Sequence, residues 1–306
     1  MTDYDLAIVG AGIAGLSAGI YAGRGGLKAV ILDEGTAGGV ANNAPIVENF
    51  PGFESITGHE LVARMRAQAS KYAEIRELVQ VKSVTGAGPF ELTLDDGSVK
   101  AKAVIVATGA KYKPLGLKSE FRLAGKGVSY CATCDGFFFK GKKVFLVGGG
   151  NSALCEALHL HKNGVDVTLV HRRETLRAEK HLQDAYFQVG GKAMLGMVVE
   201  EILGESVVTG VRLRKTEGGP SEDHPCSGVF VSVGYEPNNS LAKGLGVELT
   251  DDGSVKVDDH QRTSLHYVYA AGDITPGIKQ MVTAAAQGAT AALAAFDDLT
   301  HPYWAK

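Results

Sequence analysis

Apolar runs of strand length and stretches of helical period alternate along most of the chain, and twice they do so in the same order. "DLAIV", from Asp5, reads as a buried strand, and "LKAVILD" as a second strand ending at Asp33. Between them, Gly10-Ala11-Gly12-Ile13-Ala14-Gly15 leads into a helical stretch through Ala22. The second copy opens with "KVFLV" at Lys143. There Gly148-Gly149-Gly150-Asn151-Ser152-Ala153 leads into a helical stretch through Leu160, and "VDVTLVH" ends at His171. Each copy is a βαβ opening with a glycine fingerprint. A single fingerprint marks no more than a tight strand-to-helix turn. Two, each flanked by strand, helix and strand at the right distance, predict two dinucleotide sites. The glycines let backbone approach a pyrophosphate, whose charge the helix N-terminus favours.

The remaining pattern fills in around these units. Thr57 and Glu60 form a capping box ahead of a helix whose apolar face is Leu61, Val62, Met65, Ala69 and Tyr72. "DDG" at 95–97 and again at 251–253 predicts hairpin turns. "VYAAGDI" is a buried strand delivering Asp273 into a turn, followed by a small-residue helix from Met281 to Leu299 whose N-terminus brings a positive dipole end to a flavin ring. Pro and Gly in "YKPLG" (112–116) and "YEPNNSLAKGLG" (235–246) bracket the second βαβ unit, which is then inserted into the first. The predicted fold is α/β with two Rossmann-like dinucleotide-binding domains: an outer one over 1–114 and 243–306, and an inserted one over 115–242.

The copies differ where a nucleotide is distinguished. Asp33 stands eighteen residues beyond Gly15, a carboxylate suited to both hydroxyls of an adenosine ribose. At the corresponding place is His171, followed by Arg172, Arg173 and Arg177. A carboxylate repels a 2′-phosphate, whereas guanidinium forks bind one. The first site therefore reads as FAD or NAD and the second as NADP, and two dinucleotides in one chain imply electron transfer between them.

Composition adds exclusions. With 45% hydrophobic and 21% charged residues the 306-residue chain is an ordinary globular one, and its net charge of −3 offers no basic footprint for nucleic acid or anionic lipid. No apolar run reaches the roughly 18 residues of a membrane span, and no secretory signal pattern opens the sequence. Cytoplasmic location is the expectation. Four cysteines comprise one CxxC, Cys131 and Cys134, and the singletons Cys155 and Cys226. This is no disulfide framework. Zinc requires about four ligands and the pair supplies half; His159 and His161, two apart on a helix, face different ways. No metal is expected. Inert core cysteines are the other reading, but Asp135 and Gly136 make the segment polar, and a redox dithiol fits better.

"CATCDG", "GGGNSALCEA", "HRRETLRA", "VENFPG", "ATGA" and "AAGD" span the chain in one order. In that set the sequence resembles the low-molecular-weight thioredoxin reductases of the flavoprotein disulfide reductase superfamily. The resemblance implies FAD on the split outer domain, NADPH on the inserted one, a homodimer, and a rotation that presents dithiol and nicotinamide to the flavin in turn. It implies a Cys131–Cys134 disulfide with Cys134 nearer the flavin, Cys131 as the interchange thiol that attacks thioredoxin or a thioredoxin-like protein, and Asp135 as the acid. It assigns Gly10, Gly12, Gly15, Asp33, Gly39, Asn49, Thr108, Gly109, Asp273 and Gln280 to FAD. To NADPH it assigns Gly148, Gly150, Ser152, Ala153, Arg172, Arg173 and Arg177.

Asn151, Val40 and Lys279 depart from the family pattern, which often has Asp, Gln and an Arg-Gln pair at those places; the last two bear on the flavin. The tail Tyr303-Trp304 either covers the flavin or packs at a subunit contact. Other functions share much of this pattern. A ferredoxin-type donor could replace NADPH, a dithiol oxidase would pass electrons to oxygen, and a nucleotide-binding redox sensor would not turn over. A relative that reduces ferredoxin lacks the CxxC.

Overall fold

The computed structural model describes residues 3–44 and 47–301. Two compact units divide it, one made of 1–111 with 236–306 and the other of 112–235. Residues 302–306, and with them the Tyr303-Trp304 tail, lie outside the described residues.

The outer unit begins with β1 (Tyr4–Val9), α1 (Ile13–Arg24) and β2 (Ala29–Leu32), the first of the two expected units. Next come α2 (Gly58–Ala69), β3 (Glu74–Arg76), β4 (Ser83–Thr85), β5 (Phe90–Thr93) and β6 (Ser98–Val106). Thr57 caps α2 by accepting from the Glu60 amide, as half of a capping box does. Leu61, Val62 and Ala69 face the core with Met65 at its edge. Tyr72 does not continue that face. The helix has ended at Ala69, and the exposed Tyr72 ring instead lies under the Arg24 guanidinium. β5 and β6 pair antiparallel across the first "DDG" turn, where the Leu94 amide donates to Gly97. At the second, Leu249 and Val255 make an antiparallel bridge.

The chain leaves through β7 (Ala110–Tyr112) and enters the inner unit at α3 (Lys118–Leu123) and β8 (Val128–Ser129). A short helix, α4 (Ala132–Asp135), carries the dithiol. β9 (Lys143–Val147), α5 (Asn151–Lys162) and β10 (Asp166–His171) are the second expected unit. Then follow α6 (Lys180–Gln188), β11 (Lys192–Leu195), β12 (Met197–Leu203), β13 (Gly210–Lys215), β14 (Glu222–Pro225) and β15 (Gly228–Val231). The parallel sheet runs β11-β10-β9-β15-β8, with β12-β13-β14 as a separate antiparallel sheet.

The return passes through β16 (Tyr235–Pro237), α7 (Ser240–Leu245), β17 (Val268–Ala270) and α8 (Met281–Thr300). It crosses at 235/236 rather than at 242/243, because Leu241 and Ala242 of α7 are buried in the outer core with Val84, Val247 and Val255. The outer sheet runs β3-β2-β1-β6-β5-β4, with β17 joined parallel to the far end of β6. α1 and α8 pack closely enough that a Cβ on Gly288 would stand 2.0 Å from the Ala14 carbonyl oxygen. No helix among the described residues is long and apolar enough to cross a membrane.

Candidate active site

In the outer unit the glycine turn leaves the carboxyl end of β1. Gly10 is left-handed at φ +108°, and a Cβ there would sit 2.2 Å from the Ala107 carbonyl oxygen; at Gly15 it would sit 1.8 Å from that of Gly10. Neither position admits a side chain, so strand, turn and helix are held in contact. Gly12 is the opposite case. Nothing lies within 4 Å of its Cβ position, and as N-cap of α1 it offers no side chain to the first-turn amides. Open space in front of uncapped amides is what an anion requires. Gly39, left-handed at φ +54°, lies across from Gly12, its Cβ position 4.0 Å from the Gly12 Cα. Asp33, past the end of β2, accepts from the Ala11 amide (2.6 Å) and the Gly35 amide (2.8 Å), and each oxygen keeps a lone pair for a hydroxyl.

The other outer-unit residues gather in smaller groups. Asn49 donates its side-chain amide to Gln280 (3.1 Å), the N-cap of α8, whose first turn no side chain caps. Asp273 follows β17, and burial raises its proton affinity against the pull of Lys279. Lys279 turns back on its own loop to donate to the carbonyls of Asp273 (2.8 Å) and Thr275, and burial lowers its pKa. Thr108 and Gly109, after β6, are tied to the returning chain: Thr108 Oγ1 donates to the Asn238 carbonyl (2.8 Å), and the Asn238 amide donates to that of Gly109 (3.0 Å). Val40 is half exposed beside Gly39.

The inner glycine turn repeats the logic. A Cβ on Gly148 would meet the Ser232 carbonyl oxygen at 2.4 Å, whereas at Gly150 nothing lies within 4 Å, and α5 is likewise uncapped by a side chain. Ala153 is buried where Gly15 stands in the first copy; Ser152 is exposed. Past β10, the chain folds back over the turn, with the amides of Arg177 (2.7 Å) and Ala178 (3.0 Å) donating to the Gly149 carbonyl. Asn151 completes the closure by exchanging hydrogen bonds with Glu179, side chain to side chain and side chain to amide, both at 2.8 Å. Arg172, Arg173 and Arg177 are therefore grouped beside the turn, all exposed, with no ion pair among the described residues. His171 is buried beneath Gly149, and burial with the three arginines lowers its pKa, leaving a neutral ring.

Cys131 and Cys134 form a disulfide, with Cα atoms 5.3 Å apart. The pair follows directly from β8, so it stands at the carboxyl end of the same parallel sheet as the glycine turn. α4 rests on α5: Ala132 is buried with Leu154 and Ala157, and a Cβ on Gly136 would press on Leu160 at 2.8 Å. Asp135 accepts from the Ser129 hydroxyl (2.6 Å); burial raises its proton affinity and the serine bond opposes that. Among the described residues no three His, Cys, Asp or Glu side chains are grouped to hold a metal.

Three participants were invisible to motif spacing. Glu120, fully buried, accepts from the amides of Leu115, Gly116 and Leu117 and from the Tyr130 hydroxyl (2.9 Å). The Tyr130 ring stacks on Tyr112, which meets Tyr235, so the residue before Cys131 is packed with both ends of the inner unit. Glu156, on α5, has its pKa pushed up to about 7 by burial; it accepts from Ser232 (3.2 Å), and its Oε2 has no partner among the described residues. Ser129 is the third. Only for Glu156 was there a signal, a carboxylate inside an otherwise apolar helix stretch.

Cys226 is buried and its thiol is pushed up to about 11, so it is an inert core residue; Cys155 is free and exposed.

The pyridine nucleotide-disulphide oxidoreductase family pattern matches residues 4–288. The thioredoxin reductase of Listeria monocytogenes is 39% identical over 292 residues, covering 94% of this chain and 91% of that protein. The thioredoxin reductase of Streptomyces coelicolor is 41% identical over 295 residues, with the same shares. The crystal structure of thioredoxin reductase from Streptococcus pyogenes superposes with a TM-score of 0.86 at 38% identity, over 97% of this chain and 98% of that one.

Proposed function

We infer, from the premise that the chain belongs to the pyridine nucleotide-disulphide oxidoreductase family, that it is an NADPH-dependent thioredoxin-disulfide reductase containing FAD. The observation that carries this is the Cys131–Cys134 disulfide at the carboxyl end of the sheet that also bears the second glycine turn. When bound, NADPH and FAD supply the electron pair that reduces that disulfide. Gly10, Gly12, Gly15, Asp33 and Gly39 are suited to hold FAD, with Asn49, Thr108, Gly109, Asp273 and Gln280 at its remaining contacts. Gly148, Gly150, Ser152 and Ala153 are suited to NADPH, and Arg172, Arg173 and Arg177 to its 2′-phosphate. The spaces at Gly12 and Gly150 fit both groups, since backbone there is bare and nothing lies within 4 Å of either Cβ position.

The chain's own chemistry is thiol–disulfide exchange. In the reduced dithiol the Cys131 thiolate attacks one sulfur of the partner's disulfide, which releases the other as a thiolate. Cys134 then attacks the Cys131 sulfur of the mixed disulfide. The partner leaves with two electrons, and the internal disulfide is restored. Asp135 holds the proton exchanged with the departing thiolates; its burial favours the protonated form. Thioredoxin or a thioredoxin-like protein is the partner, the working unit is a homodimer, and the location is cytoplasmic.

Anaerobic NADPH is expected to bleach the flavin, NADH far less, and oxidised thioredoxin to restore the colour; an unbleached flavin contradicts the reading. Cys131→Ser and Cys134→Ser each abolish thioredoxin turnover yet leave bleaching by NADPH intact. Only Cys134→Ser accumulates a mixed disulfide, visible as a mass adduct. An adduct with Cys131→Ser instead reverses the two thiol roles.

A further inference from the structure

Ser129 ends β8 and is 4% exposed. Its hydroxyl has three neighbours. The Cys131 amide donates to Oγ (3.1 Å), the hydroxyl donates to Asp135 Oδ2 (2.6 Å), and the Cys131 carbonyl oxygen lies 3.4 Å away. A serine has one proton and two lone pairs, so it cannot donate to both acceptors at once. The shorter bond, to the carboxylate, takes the proton.

We propose that Ser129 is a positioning residue for the acid–base chemistry of the dithiol: a buried hydroxyl that turns to give Asp135 a partner in both of its protonation states. With Asp135 ionised, the hydroxyl donates to Oδ2. With Asp135 protonated, the acid donates to Oγ and the serine proton swings to the Cys131 carbonyl. Oγ keeps the Cys131 amide as a donor throughout. Neither state strands a polar group withdrawn from water, which is the condition for a part-buried acid to give up and regain a proton without disturbing the turn that carries it. The same contacts hold the carboxyl one hydroxyl away from the Cys131 backbone.

Other groups leave this control to Ser129. Burial raises the proton affinity of Asp135, the Ser129 bond lowers it, and no charged side chain contributes. α5, packed on the dithiol helix, carries Cys155, Glu156, His159, His161 and Lys162; Glu156 is engaged by Ser232 and His159 by Asn163. Residues 136–139, the other segment packed there, carry no titratable side chain.

The inference deepens the proposed function and rests on it, so its test has an arm that needs no turnover. The FAD-loaded oxidised parent, Ser129→Ala and Ser129→Thr are titrated by difference infrared spectroscopy of the Asp135 carboxyl, with Asp135→Asn as the blank. Melting temperature and flavin content establish that each variant folds. Ser129→Ala loses a charge-assisted bond to the ionised form and a weaker one to the protonated form, and the difference is expected to raise its midpoint by roughly one pH unit, while Ser129→Thr stays with the parent. Equal midpoints in the parent and Ser129→Ala overturn the proposal. In the turnover arm, activity with oxidised thioredoxin falls as pH rises through the loss of the Asp135 proton. That limb moves up by the same interval in Ser129→Ala, while NADPH bleaches the flavin as fast as before. A parent inactive with thioredoxin sinks the proposed function and leaves the infrared arm to decide this inference. An active parent whose alkaline limb Ser129→Ala does not move sinks the inference alone.

Discussion

The two glycine turns share a backbone and part company at the end of the strand that follows. After β2 a carboxylate, Asp33, is carried on the amides of Ala11 and Gly35. At the end of β10 the corresponding residue, His171, is a buried neutral ring, and charge is supplied instead by three exposed arginines on a loop latched to the turn by Asn151 and Glu179. The bare glycine and the uncapped helix suit either turn to an anion. The strand-end charge then sets which ribose it suits. On the proposed function one backbone device serves two ligands, and discrimination is left to a few side chains at the strand ends.

The strongest way to break the comparison is to fill each bare space in turn. Gly12→Leu is expected to purify colourless, without FAD. Gly150→Leu should remain yellow, with bleaching by NADPH slowed at least about a hundredfold, an anion contact being worth about 1.5–3 kcal/mol and several being lost together. Flavin absorbance and anaerobic stopped-flow distinguish the two, and a crossed result reverses the assignment of the units. A narrower cut removes one guanidinium. Arg172→Ala or Arg173→Ala should raise the KM for NADPH roughly ten- to a hundredfold and leave that for NADH unchanged. If both nicotinamides suffer equally, the arginines are not reading the 2′-phosphate.

Asp33→Asn should weaken FAD retention by about tenfold, measured by fluorescence on dilution, with no effect on the NADPH arm. The smallest effect concerns His171. Its pKa lies below the usual 6.5 because of burial and then Arg173, Arg172 and Arg177. The unfolded chain accepts a proton below 6.5 that the folded one refuses. The stability it contributes is therefore complete above that pH and is lost as pH falls toward the folded value. The melting temperature of the parent should drop more on acidification from about pH 7 than that of His171→Asn, whose side chain does not titrate there. Equal drops would mean that the ring is hydrated and unshifted.

Much of this architecture is legible in the chain. Local strand and helix signals placed β1, α1 and β2, then β9, α5 and β10, because buried parallel strands and small-residue helices impose runs of apolar side chains with glycine at the joints. The capping role of Thr57 and both "DDG" turns were readable for the same reason: each is a bargain among residues within a few positions of one another. Tyr72 was misread, since helical spacing continued past the point where α2 stops. The return crossing was placed late, since Pro and Asn mark a break in regular structure but cannot say on which side of it Leu241 will be buried.

What the sequence by itself determined is the pair of βαβ glycine turns, the difference in charge between them, and the cysteines, because each resides in contiguous residues whose chemistry needs no distant partner. What only the tertiary structure decided is how those residues are served. Asn151 meets Glu179 across a loop, Glu120 gathers three amides and a tyrosine, and Ser129 reaches both Cys131 and Asp135. A serine at the end of a short strand, or a glutamate in a six-residue helix, looks like any other in the chain. Their roles arise from burial, which removes water as an alternative partner and makes the identity and direction of every remaining hydrogen bond count.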